Sequence, residues 1–391
     1  MSKIDFKNNK VLILVGIIVI VAVLVLIFST SSSSDANVEI KPNEVSMLEL
    51  EEYSTDVFSM KKPKGWTVET GGSGIYYAIR VYDPKDNNNQ VFLMLKMQPL
   101  LKSTAGKAMW QNYYKLSGYN SQYKLFADAV VLSNPTTEGF YKVFDDVMAY
   151  AKNIDTSFSS ITFPKFTNFT KLEEFDSNAS MKAVAMDSKV LRGTFAGNSG
   201  KEGEGMFLAS VVNFGNQNLG GVDNLYYMIY DITAVTSSKD QFIDYKDILL
   251  ESANSISFTD AYVKKTIDDG NAQTKNALAL NASVQAAFDS YMSAWENRSK
   301  TYDIMSQKQS DAILGYERVY DSDTGDVYKT YNGFTDDYQG NRYKSITDEM
   351  YTTKTSGYIE RIKWVIYEKQ ENNLYSNSSS CNCFSCGYFY C

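Results

Sequence analysis

The chain has 391 residues, with 38 lysines and arginines against 46 aspartates and glutamates, for a net charge of -8. That balance excludes nucleic acid as a partner, because a phosphate backbone needs a basic footprint. Histidine is absent, which excludes Ser-His-Asp and Cys-His nucleophiles, imidazole bases and zinc sites that need an imidazole ligand.

Residues 1–10 carry Lys3, Lys7 and Lys10, and residues 11–28 read VLILVGIIVIVAVLVLIF without a charge or a proline. As a helix this run is roughly 27 Å long, close to the hydrocarbon thickness of a bilayer, so one transmembrane helix is predicted there. Between residues 29 and 60 the sole basic residue is Lys41, among many acids. Basic residues stay on the cytoplasmic side, which places the N-terminus inside and the bulk of the chain outside. A cleaved signal peptide is the competing reading, with small residues at Ser34-Asp35-Ala36. That triplet lies well beyond an apolar run already longer than a usual signal core, and no nearby cysteine can take a lipid, which favours an uncleaved anchor. Residues 29–56, Ser-rich and then acidic, read as a stalk.

Residues 57–258 read as an α+β domain built on an antiparallel sheet with packed helices. Apolar runs at residues 75–82 and 90–98, separated by Asp83-Pro84-Lys85-Asp86-Asn87-Asn88-Asn89, predict paired strands. A helix follows with Ala105, Met109, Asn112 or Tyr113, and Leu116 on one face, and another starts at Asn134-Pro135 and runs to about residue 151. Strands are expected at residues 157–163, 180–196, 206–214 and 224–235, with the glycine-rich residues 193–205 as a mobile loop. Phe242, Tyr245, Leu249 and Ser252 fall at helical spacing before a short strand at residues 255–258. Antiparallel strands with interspersed helices imply a sandwich without a dinucleotide crevice.

The Phe58-Ser59-Met60 strand, the Pro63-Lys64-Gly65-Trp66 corner, the strand pair after it and the helix entering Ile256-Ser257-Phe258 resemble the PsbP-like superfamily. The resemblance covers residues 57–258 and implies a small α/β/α adaptor or assembly domain that binds rather than catalyses. Residues 157–216 are longer than that fold requires, which leaves two smaller domains as an alternative.

Residues 259–370 read as a long helix plus a β-hairpin. Val284, Phe288, Tyr291, Trp295, Arg298, Tyr302 and Met305 form an amphipathic seam that packs on its own domain or pairs with another copy; Arg298 and the bulky aromatics favour the first. Tyr316-Glu317-Arg318-Val319-Tyr320, an acidic turn and Asp326-Val327-Tyr328-Lys329 predict the hairpin. With the segment starting at Gly357, this part resembles a module of uncharacterised exported proteins of Gram-positive bacteria, a likeness that brings no activity. Ile362, Trp364 and Ile366 alternate as one more strand. Residues 371–391 form a tail holding all four cysteines, Cys381, Cys383, Cys386 and Cys391; it is read as disordered or disulfide-linked rather than as a soft-metal site.

No chemical motif is complete. Asp321, Asp323 and Asp326 miss the glycine and the final acid of an EF-hand loop, since Gly325 is fifth and Asn332 twelfth. Ser59-Met60-Lys61-Lys62 has the S-x-x-K spacing, but Lys354-Thr355-Ser356 lacks the glycine of its K-T-G partner. Asp145-Asp146, Glu173-Glu174 and Asp336-Asp337 are acid pairs that a glycosidase would need facing each other across a bond. The 29 tyrosines include the doublets Tyr76-Tyr77, Tyr113-Tyr114 and Tyr226-Tyr227. In a strand one member of a doublet faces the core and its neighbour faces out, where a flat ring can meet a sugar or a peptide. The expectation is a membrane-anchored extracytoplasmic binding or assembly protein of the cell envelope, with a protein or cell-wall partner and no catalytic, cofactor-binding or metal-ligating residue. The alternatives are a carboxylate-dependent extracytoplasmic hydrolase and a structural surface component.

Overall fold

Alternation along residues 90–96 sets the architecture: Phe92 and Met94 enter one apolar cluster, whereas Val91 and Leu93 enter another. A strand that feeds two cores must lie in a sheet covered on both faces. The computed structural model describes residues 38–197, 200–214, 225–268 and 280–360.

The strands in the first part of the chain are β1 (Ile40–Pro42), β2 (Leu50–Ser54), β3 (Phe58–Pro63), β4 (Thr67–Gly71), β5 (Ala78–Tyr82), β6 (Gln90–Lys96) and β7 (Leu100–Leu101). Helices α1 (Thr104–Leu116), α2 (Ser121–Asp128), α3 (Thr137–Lys142) and α4 (Phe144–Ile154) follow, then β8 (Thr167–Asp176), β9 (Asp187–Ala196), β10 (Glu202–Phe214) and β11 (Tyr226–Ser238). After these come α5 (Phe242–Asn254), β12 (Ser257–Phe258), α6 (Asp260–Asp268), α7 (Leu280–Asn297) and α8 (Lys300–Leu314). The last described elements are β13 (Tyr316–Asp321), β14 (Val327–Tyr331), α9 (Phe334–Asp337), β15 (Tyr343–Ser345) and β16 (Thr355–Ile359).

The main sheet runs β4-β5-β6-β11-β10-β9-β8, with β7 beside β11, and all its pairings are antiparallel. One face packs on α1, α3 and α4 through Trp110, Phe140, Phe144 and Val147. The other packs on α5 and α7 and on the small sheet β12-β3-β2, through Leu249, Phe288, Phe58 and Phe258. Each large side chain fully buried this way contributes roughly 1.5–3 kcal/mol. A third sheet, β1-β16-β14-β13-β15, joins the first described strand to the last.

The fold class drawn from the sequence needs correcting. Among the described residues no helix is long and apolar enough to cross a membrane. The longest, α7, is amphipathic: Val284, Phe288, Tyr291 and Trp295 are buried while Asp289, Met292 and Glu296 are exposed. The predicted span at residues 11–28 lies outside the described residues, as do the cysteine tail and the strand expected around Trp364. What remains is an α+β fold in which Glu39–Arg361 form one unit, without a break near residue 259. Residues 40–54, expected within the stalk, carry β1 and β2 because Ile40 pairs with Ile359 and Glu51 with Lys62.

Other elements shift for local reasons. The seam from Val284 to Met305 is two helices, because Ser299 is extended and caps α8 by accepting the Tyr302 amide; Met305 is exposed. The helix expected from Asn134 starts instead at Thr136, which caps α3, and breaks at Val143. Residues 157–163 form a 3-10 turn and irregular chain rather than a strand, and α2 and β8 went unpredicted. The supposed loop at residues 193–205 is mostly sheet, with Gly193 in β9 and Gly203 and Gly205 in β10.

Candidate functional site

The site is built around a bulge at the centre of the main sheet. The β10–β11 register shifts between Leu208 and Ser210, so that Asp231 and Ile232 together oppose Ala209. Asp231 adopts a φ of 53°, the left-handed region that aspartate tolerates better than most residues. A bulge re-aims the side chains beside it. Here Tyr230 lies next to Lys96, its cross-strand partner on β6, while Asp231 bonds to serines on β10 and in the chain after β8.

Both faces of the sheet fill the gap in the ladder. The Tyr141 hydroxyl of α3 lies 2.8 Å from the Leu208 carbonyl and 2.7 Å from that of Thr233, and the Tyr291 hydroxyl of α7 reaches the Thr233 carbonyl at 2.7 Å. Burial raises both phenols, so they remain donors. Asp231 Oδ2 accepts from Ser210 Oγ at 2.8 Å; Ser210 continues to Ser188 at 2.9 Å and Ser188 to Ser177 at 2.7 Å. Burial holds the Asp231 carboxyl above its usual range against the bonds from Ser210, the Met181 backbone and Ser180.

Beside Tyr230, the Lys96 side chain is 5% exposed and its ammonium lies 5.3 Å from the centre of the Tyr76 ring and 5.2 Å from that of Tyr230. Among the described residues no carboxylate or other acceptor pairs with it. Burial lowers the Lys96 ammonium, and the two ring faces replace part of its lost hydration. Burial raises Tyr76, with Tyr226 and Asp155 adding to it, and pushes Tyr230 up to about 12, with Tyr76, Asp231 and Tyr226 adding. Tyr76 is set by a tight turn at Gly72, whose φ is +83° and where a Cβ would stand 2.2 Å from the Tyr76 carbonyl.

Aromatic contacts continue from this point across the surface. Phe214 lies near-parallel to both Tyr226 and Tyr230, at 23° and 29° with centroids 6.3 and 6.4 Å apart. Tyr226 meets Phe126 edge-on at 5.3 Å, Phe126 stacks on Trp110 at 4.6 Å, and Trp110 contacts Tyr113 and Tyr123. Tyr76, Phe126, Phe214, Tyr226 and Tyr230 are half-buried, and Tyr113 is exposed. Among the doublets only Tyr226-Tyr227 lies in a strand, with Tyr227 buried and Tyr226 half-buried; Tyr76 ends a 3-10 turn before β5 with Tyr77 buried after it, and Tyr113-Tyr114 lies in α1.

The other residues singled out in the sequence have separate roles. Asp321 is held by Arg342, and Asp326 accepts from Ser356, so the acidic turn spends its carboxylates on its own sheet. Ser59 is exposed on β3 while Lys62 pairs with Glu51, and Thr355 bonds Asp244. Asp145 accepts from the Phe166 amide and the Thr167 hydroxyl. Glu173 belongs to a buried charge cluster that sequence reasoning missed: Arg192 contacts Glu173, Glu204 and Asp303, and Asp303 also pairs with Arg298. Burial raises Glu204 while Arg192 pulls it down. Arg192 and Arg298 hold these three acids within the protein, and the acids do not face one another across open space, as hydrolysis would require.

A half-buried lysine, Lys329, borders a cleft of about 220 Å³ between α5 and the third sheet. Its ammonium already donates to the Asp240 carbonyl at 3.0 Å. Lys96 differs in having its charge uncommitted, and its surroundings were legible only as tyrosine doublets. The residues that complete it, Lys96 and Tyr230, face each other across the β6–β11 pair, 134 residues apart in sequence. No family model matches this chain and no curated protein matches it, so the functional reading rests on the residues themselves.

Proposed function

We propose that this chain is a membrane-anchored extracytoplasmic binding protein of the cell envelope that holds a cell-wall saccharide on its aromatic face. The observation that carries the reading is the continuous set of rings from Tyr113 to Tyr230, with Phe214 near-parallel to Tyr226 and to Tyr230. Flat half-exposed rings with polar edges suit the apolar faces and hydroxyl rims of sugars. A protein partner needs about 800 Å² on each side, whereas these rings are mostly half-sunk. The apolar run at residues 11–28 and the lysines before it support the address. The resemblance of residues 57–258 to PsbP-like adaptor domains, carried by the Phe58-Ser59-Met60 strand and the Pro63-Lys64-Gly65-Trp66 corner, implies binding rather than catalysis.

The test is co-sedimentation of the full chain with purified cell-wall polymer. Removing one stacked ring, by Tyr226→Ala or Tyr230→Ala, is expected to weaken binding about tenfold while the circular dichroism spectrum is unchanged. Equal binding by both variants, or recovery of envelope proteins in place of glycan, overturns the reading.

A further inference from the structure

Two tyrosine rings flank one cation here, a third phenol, Tyr226, stands near both, and none of the four groups has a committed hydrogen-bonding partner among the described residues. Among the described residues the hydroxyls of Tyr76, Tyr226 and Tyr230 make no hydrogen bond, and the Lys96 ammonium touches only ring faces. The buried Tyr141, Tyr150 and Tyr291 hydroxyls, by contrast, each donate to a backbone carbonyl. Burying an ammonium without a counter-charge is costly, and a site that bears that cost without an internal carboxylate is arranged for an anion from outside.

We infer that this site recognises an acidic saccharide, with the carboxylate of a uronate residue seated between Lys96 and the Tyr76, Tyr226 and Tyr230 hydroxyls while its ring lies against Phe214 and Tyr226. This rests on the saccharide-binding reading above. One ammonium and three hydroxyl donors match one carboxylate, whose two oxygens offer about four lone-pair sites. The charge count argues for a monoanion. A net charge of -8 repels a polyanion, and Asp155 and Asp231 lie close enough to act on Tyr76 and Tyr230. A phosphate monoester dianion would bring two charges to a site that supplies one, whereas a phosphodiester is a monoanion and is separated from a carboxylate by the binding experiment.

The experiment is titration calorimetry of the full chain with an oligosaccharide carrying a single uronate residue, with the same oligomer after carboxyl reduction, and with a glycerol-phosphate polymer. The uronate is expected to bind at least about tenfold more tightly than the reduced oligomer. Lys96→Met should remove that preference while leaving affinity for the neutral oligomer in place, and Tyr230→Phe, which keeps the ring, should lower uronate affinity several-fold. On the unmodified chain the preference should fade as alkaline pH discharges Lys96, whose burial makes it lose its proton earlier than an exposed lysine. Equal binding of charged and reduced oligomers overturns the anion site but spares saccharide binding. Failure of every oligosaccharide removes both. Preference for the glycerol-phosphate polymer, or an unchanged preference in Lys96→Met, overturns the assignment of a carboxylate to Lys96.

Discussion

Asp231 is the residue on which the site's geometry turns, because its left-handed backbone produces the bulge and its carboxyl is buried without a cation. The two features separate by mutation. Asparagine tolerates the same backbone region and can still accept from Ser210, so Asp231→Asn removes only the charge; Asp231→Ala also loses the polar side chain that makes the left-handed region tolerable, at a cost of about 1–2 kcal/mol. Burial raises the folded-state pKa of Asp231. The folded protein therefore keeps this proton to a higher pH than the unfolded chain does, and stability falls as pH rises between the two pKa values. Asp231→Asn is expected to raise the thermal midpoint at pH 7, with a gain that shrinks as pH drops from the raised folded-state pKa to the usual aspartate range and vanishes below it. Thermal unfolding of both proteins across pH checks this. A gain independent of pH would mean the carboxyl carries no such penalty.

Among the elements, α8 is held to the main sheet by charge more than by apolar contact. Arg192 on β9 lies 2.6 Å from Asp303 on α8, donates to Glu204 on β10 at 2.7 Å, and reaches Glu173 on β8 at 3.0 Å. Arg192→Met leaves Glu204 and Asp303 as buried acids without that cation, which costs about 3–5 kcal/mol. Urea unfolding should show that loss, with partial recovery when Glu204→Gln is added; a loss under 1 kcal/mol would show that Arg298 suffices alone. This cluster also marks the limit of what the sequence discloses. The helix α5 was legible because Phe242, Tyr245, Leu249 and Ser252 repeat at helical spacing, and all four are buried. The α1 face was misread: Leu116 is 84% exposed and the buried residues are Gly106 and Trp110, since a short amphipathic pattern admits neighbouring faces. Partners such as Arg192 and Asp303, or Lys96 and Tyr230, are far apart in sequence and obey no period. The bulge that aims Tyr230 involves no glycine or proline that would signal it.

For the whole molecule, the question is whether the third sheet is a separate module or part of one cooperative body. The sequence suggested a boundary near residue 259, yet this sheet contains β1 from the start of the described chain, paired with β16 from its end. Both are fastened to α5 of the central body through Asp244, which is 5% exposed. Its carboxylate accepts from the Thr355 amide and hydroxyl at 2.8 Å each and from the Asn43 side chain at 3.1 Å. Asp244→Ala leaves these donors without that acceptor, a loss of about 2–4 kcal/mol at hydrogen bonds to a charged group. If the sheet folds with the body, the variant unfolds in urea as a single transition at lower denaturant with the slope unchanged. Tryptophan fluorescence reports the body, where Trp66, Trp110 and Trp295 are buried. Protease cleavage after Lys329 and Lys344 reports the third sheet. Coincident midpoints by the two probes are the expected result; early loss of the lysine sites with the fluorescence transition unmoved would make the sheet an independent module after all.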